Sequence, residues 1–170
     1  MPDLAELQSE ISYLTKKLET KLHAVVSVSN RLGKVIVTAR ASTQRRGILY
    51  EHEWFRVLPY ADSSEALGVC VLEALSQYRI EARDLSRYTA ADWPSYRASK
   101  LPSMKAFEAS FTSIEVEAWE NGMLHLVGSP VGESDVKVTA TIGSKDPQAL
   151  GDRIFQIALC CNALVELNLT

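Results

Sequence analysis

A chain of 170 residues, 46% hydrophobic and 23% charged, can bury one core of ordinary size without metal or disulfide staples, and its composition excludes wholesale disorder. Its formal net charge of -3 is uneven: residues 1–46 carry 8 basic and 4 acidic groups, the remainder 10 basic and 17 acidic, a balance that disfavours nucleic-acid binding and suits a basic protein partner. The apolar runs, such as Ile154 to Leu159, fall far short of the roughly 18 residues of a membrane span, and Met1-Pro2-Asp3-Leu4 lacks the features of a secretory signal, so a cytoplasmic address is expected.

Leu4, Leu7, Ile11, Leu14, Leu18 and Leu22 recur every three or four residues and predict an amphipathic helix over 3–22, with Asp3 and Glu6 as a capping box and Lys16, Lys17 and Lys21 near its end. The stripe either packs on the body of the fold or joins two copies as a homodimer. Val26 and Val28 alternate with Ser27 and Ser29, and Asn30-Arg31-Leu32-Gly33 supplies a turn before the β-branched run Val35 to Ala41, which together read as a hairpin. Ile48 to Leu58 gives one long strand or two short ones, with Phe55 and Val57 on one face. Ser63 opens a helix running to about Arg79, with Leu67, Val71, Leu72, Ala74 and Leu75 buried.

Trp93-Pro94 and Leu101-Pro102 make 80–102 a connector, followed by a short helix within Ser103 to Phe111. Ile114, Val116 and Ala118 alternate with Glu115, Glu117 and Trp119, Asn121-Gly122 has the chemistry of a type I′ turn, and Met123 to Val127 returns. Val136 to Ile142 alternates again, and Asp146-Pro147 opens a helix expected to end near Asn162. The sum is a single α+β domain over 1–170, with an antiparallel or mixed sheet and packed helices.

Ala66-Leu67-Gly68 matches Ala149-Leu150-Gly151 at an offset of 83 residues, and each helix follows strands. Two β-then-α halves, 23–80 and 103–162, are one reading; convergence of two amphipathic helices is the other. A glycine in a first helical turn costs about 1 kcal/mol against alanine, which suggests that each helix approaches a strand closely there.

Cys70, Cys160 and Cys161 match no zinc or redox spacing and read as buried free thiols. No Gly-x-Ser-x-Gly elbow, dinucleotide fingerprint, Walker loop or Cys-x-x-Cys is present, and His23, His52 and His125 fall in separate strands, so neither an active site, a metal nor a cofactor is expected. Within Glu51-His52-Glu53, strand geometry turns the imidazole away from both carboxylates.

The binding candidates are therefore surfaces. Glu115, Glu117 and Trp119 share a strand face and Glu120 extends it; Glu51, Glu53 and Trp54, beside Tyr50, form a second candidate, and Glu81 with Asp84 a third. A solvated strand face accounts for the glutamates, but tryptophan among charges is typical of binding hot spots.

The Phe55-Arg56-Val57-Leu58-Pro59 strand leading into Ser64-Glu65-Ala66-Leu67-Gly68, then Ser103-Met104-Lys105-Ala106-Phe107-Glu108, then Asp146-Pro147-Gln148-Ala149-Leu150-Gly151, resemble the CdiI-type immunity proteins of bacterial contact-dependent growth inhibition systems. About half the chain is covered, the N-terminal helix lying outside. The resemblance implies a protein that binds and neutralises the toxic C-terminal domain of a delivered effector, often a nuclease, inside the cell that makes it. The alternative is an acidic chaperone for effector secretion, dimeric through its terminal helix.

Overall fold

A computed structural model describes residues 3–132, 135–143 and 145–168; Met1 and Pro2, part of the stretch expected to carry no secretory signal, lie outside them. The chain is α+β, as its sequence pattern requires. Helix α1 (Leu4–Leu18) precedes strands β1 (Leu22–Ser29), β2 (Lys34–Thr43) and β3 (Leu49–Pro59), helix α2 (Ser64–Ser76) and the short β4 (Arg79–Glu81). Short helices α3 (Pro94–Ser99) and α4 (Met104–Glu108) lead to β5 (Thr112–Ala118), β6 (Leu124–Ser129), β7 (Val138–Ile142) and α5 (Pro147–Asn168).

Among the described residues the strands form one seven-stranded sheet, ordered β3-β2-β1-β5-β6-β7, with antiparallel neighbours; β4 alone runs parallel, beside the end of β2. The order strand-strand-strand-helix occurs twice, as β1-β2-β3-α2 and β5-β6-β7-α5, and the two first strands meet at the centre of the sheet.

Alternation sends Leu22, Ala24, Val26, Val35, Val37, Ile114, Val116, Leu124 and Leu126 to one face, where α1, α2 and α5 cover them in the main core. Each fully buried Leu or Ile there contributes about 1.5–3 kcal/mol of transfer free energy. The sheet, α1 and α5 surround α2, which explains why it is buried on most sides.

The two early glycines mark a helix-to-helix contact and not the helix-to-strand approach expected from sequence. A Cβ on Gly68 would lie 1.9 Å from the Pro147 carbonyl oxygen, and one on Gly151 would lie 1.8 Å from that of Ser64. Each helix thus presents its glycine to the first residue of the other, and the 83-residue offset carries one contact onto its counterpart. The tight approach to a strand falls elsewhere: Gly128 of β6 admits the Ile157 side chain of α5.

Three other boundaries differ from expectation. Glu19 ends α1 with a left-handed backbone (φ 48°), because Leu22 is needed in β1 opposite Ala118. Helix α2 stops at Ser76, since Arg79–Glu81 is drawn into pairing with Ala41–Thr43. Helix α5 passes Asn162 because Ala163 to Leu167 contains no breaker, and the Thr112 hydroxyl donates to the Asn162 side chain at 3.1 Å.

The β5–β6 connection also departs from a type I′ turn, which needs two left-handed residues; of its loop only Gly122 is left-handed (φ 81°). The Gly122 N–H donates to the Trp119 carbonyl at 3.0 Å, and the Trp119 N–H to the Met123 carbonyl at 2.9 Å. This is a three-residue loop closing on a left-handed glycine, and it fixes the backbone of Trp119.

Candidate functional site

The second face of the sheet is covered over only part of its width. Ile36 of β2 lies beneath Phe107 and Phe111, with Tyr96, Leu101 and Met104 packed around them, so the segment holding α3 and α4 closes the side near β2. Glu51 fastens it there: one carboxylate oxygen accepts the Ser95 N–H at 2.8 Å and the other the Ser95 hydroxyl at 2.6 Å. Beyond β1, the outward side chains of β5, β6 and β7 are at least partly accessible.

Glu117 is the hub of that open part. Its neighbours in register are His23 on β1 and His125 on β6, which places all three on one face. Its Oε2 accepts from Lys21 Nζ at 3.0 Å and from the Trp119 indole N–H at 3.0 Å, with His125 Nδ1 at 3.8 Å. Its Oε1 is 3.9 Å from His23 Nδ1. The Lys21 ammonium also stands 4.5 Å from the centre of the Trp119 ring, which lies 5.7 Å from the His125 ring. Trp119 is therefore held by its N–H, by a cation and by an aromatic neighbour, yet remains 36% exposed.

Burial pushes the Glu117 carboxyl upward, but the hydrogen bonds from Lys21 and Trp119 outweigh it and hold the group below the ordinary carboxylate range. Burial lowers the His23 imidazole, against the pull of Glu117. Glu117 is thus a carboxylate whose charge is spent on positioning. Glu115, 3.4 Å from the Arg40 guanidinium, and Glu120 on the turn carry the outward acidity. Lys21 and Arg40 make the face nearly charge-balanced, where its sequence suggested an acidic one.

The second candidate surface divides. Glu51 is 5% exposed and belongs to the interior; burial raises its carboxyl above the usual range, opposed by the bonds from Ser95. Alternation showed that Glu51 and Glu53 share a face but not that α3 would cover it. Glu53 is exposed and pairs with Arg97 at 2.9 Å, while Trp54 packs partly on the main core beneath the Arg56 guanidinium, 4.9 Å from its ring. His52 turns away from both glutamates, with Nε2 4.0 Å from Glu81. Of the third candidate, Glu81 accepts the Tyr50 hydroxyl at 2.6 Å, and Asp84 accepts from Ser86 N–H and hydroxyl, both at 2.9 Å.

Lys21, Arg40 and the two histidines are the parts of this face that residue pattern alone missed. The signal was the strand register: the three-residue β5–β6 loop sets His125 opposite Glu117, where a two-residue turn over Asn121-Gly122 would set Leu126 there, and the β1–β5 pairing that brings in His23 is non-local. Cys160, expected inside, is exposed, whereas Cys70 and Cys161 are buried. The apolar stripe of α1 is taken up within the chain, with Leu7 and Ile11 in the main core. Among the described residues no cluster of three His, Cys, Asp or Glu is placed to hold a metal ion, and no helix is long and apolar enough to cross a membrane.

No family model matches the chain, and no curated protein matches it in sequence. Solved structures do share its fold. A protein of unknown function from Neisseria meningitidis superposes with a TM-score of 0.58 at 18% identity, covering 79% of this chain and 91% of that one. A chain from the CdiA-CT/CdiI toxin and immunity complex of Yersinia pseudotuberculosis superposes with a TM-score of 0.57 at 14% identity, covering 84% of this chain and 97% of that one. The chain is thus similar in fold, over most of its length, to a member of a toxin and immunity complex.

Proposed function

We propose that this chain is a CdiI-type immunity protein, which binds the toxic C-terminal domain of a contact-dependent growth inhibition effector and neutralises it without catalysing a reaction. The observation that carries the reading is the fold likeness to a chain of a CdiA-CT/CdiI complex, over nearly the whole of that chain. The motif resemblance across Tyr50 to Leu75, Ser103 to Glu117 and Asp146 to Leu159 supports the same assignment from the residues themselves.

The open face of β5 to β7 suits docking by a folded protein. A tryptophan held rigid and half-exposed loses little freedom on binding, and Glu115 and Glu120 beside it offer acceptors to a partner. Neutralisation then follows from covering the toxin's active site or substrate path. A nuclease acting in the cytoplasm is the toxin class we favour, because nuclease domains are basic and the acidic excess of residues 47–170 would steer one inward.

The chaperone alternative lacks support in the fold, since α1 keeps no free apolar stripe for a dimer. Co-expression with the toxin domain encoded by the adjacent upstream gene tests the proposal. Protected growth, co-purification and complete inhibition only at equimolar chain are expected. Arrested growth without co-purification overturns binding, and inactivation by a small fraction of an equivalent overturns the non-catalytic reading.

A further inference from the structure

The β2–β3 turn and the segment following β4 enclose a cleft of about 670 Å³, within the range of about 300–1,000 Å³ typical of ligand sites. Three arginines line it, Arg45 and Arg46 from the turn and Arg83 from the other wall, in a chain whose net charge is -3. Among the described residues none of the three forms a salt bridge. Asp84 also lines the cleft, its carboxylate turned to both donors of Ser86, and Glu81 nearby accepts the Tyr50 hydroxyl, so the arginines still outnumber the lining carboxylate three to one.

The walls are built to hold the cations in place. The Arg83 guanidinium lies 4.9 Å from the Tyr50 ring and 5.3 Å from the Tyr88 ring, and the two rings meet edge to face at 5.8 Å. Both rings are tethered, Tyr50 to Glu81 and Tyr88 through its hydroxyl to the Glu51 carbonyl at 3.0 Å. Opposite, Gly47 N–H donates to the Thr43 carbonyl at 2.9 Å and Thr43 N–H to the Ile48 carbonyl at 3.0 Å, which pins the turn bearing Arg45 and Arg46. Ile48, 45% exposed, adds an apolar wall.

We propose that this cleft binds a short acidic peptide segment of a partner protein, Arg45, Arg46 and Arg83 taking its carboxylates and Ile48 an apolar side chain between them. Arginine suits carboxylates through its paired donors, and a guanidinium already seated on aromatic rings gives up little freedom when bound. A nucleic acid fits less well. Three cations neutralise only about three phosphates, and the acidic remainder of the chain repels a longer strand. The site is separate from the β5–β7 face, and its existence does not depend on the toxin reading.

The test uses the full chain and a fluorescein-labelled peptide of alternating acidic residues and leucine, followed by anisotropy. Saturable binding that weakens with added salt is expected. The double variant Arg45→Ala/Arg46→Ala should bind at least about tenfold more weakly, equivalent to about 1.4 kcal/mol, with an unchanged melting curve because both side chains are exposed in a turn. No saturable signal, or equal affinity for the double variant, overturns the site. Tighter binding of a single-stranded RNA oligonucleotide than of the peptide overturns the proposed occupant.

Discussion

Gly68 and Gly151 occupy reciprocal positions in one contact, each giving the first residue of the other's helix room that a side chain would fill. The obstacle at each is backbone carbonyl, which cannot swing aside as a flexible side chain could. Gly68→Ala and Gly151→Ala should each destabilise the fold by about 1–3 kcal/mol, the usual cost of overpacking. Urea denaturation measures it. Alanine would be neutral or mildly stabilising if these were ordinary helical glycines.

Glu51 holds the segment bearing α3 on the sheet, but as a carboxylate in an unfavourable place. Its folded pKa lies above the unfolded value because burial outweighs the Ser95 bonds, so in that window the folded state binds more protons than the unfolded state. Its contribution to stability therefore falls as pH rises from about 4.5, the ordinary glutamate value, through the raised one. The variant Glu51→Gln should gain on the native chain across that interval, measured by urea denaturation at a series of pH values.

His23 works in the opposite sense. Burial lowers its folded pKa below the ordinary 6.5 against the pull of Glu117, so the unfolded state binds more protons between the two values, and stability rises with pH through that interval. Acidification below 6.5 should destabilise the native chain, and His23→Gln should flatten that part of the profile.

The thiols should separate by access. Burial pushes Cys70 up to about 12 and Cys161 up to about 11, while Cys160 is exposed. A maleimide should label Cys160 alone in the native chain and all three cysteines in denaturant, as peptide mass spectrometry would show. Rapid native labelling of Cys70 would contradict the packing of α2.

Local pattern was enough for what local physics decides. The alternation of Ile114 to Trp119 put Glu115, Glu117 and Trp119 on one face, and Ser63 and Asp146 marked the helix starts, because strand period and capping are properties of neighbouring residues. What lay beyond the sequence was contact between distant segments. Nothing near Glu51 announces Ser95, and nothing near Glu117 announces Lys21. The repeat marks the glycine pair but not the partner of each, since spacing tells that a backbone must come close but not which one.

Calorimetry with the purified upstream-encoded toxin domain tests most directly whether the face around Glu117 and Trp119 binds it. The native chain should bind at one to one, and Trp119→Ala combined with Glu120→Lys, both at exposed positions, should weaken binding by at least about 2 kcal/mol, or roughly 30-fold, with its melting temperature little changed. Tight native binding that the double variant retains in full would contradict the assignment of this face.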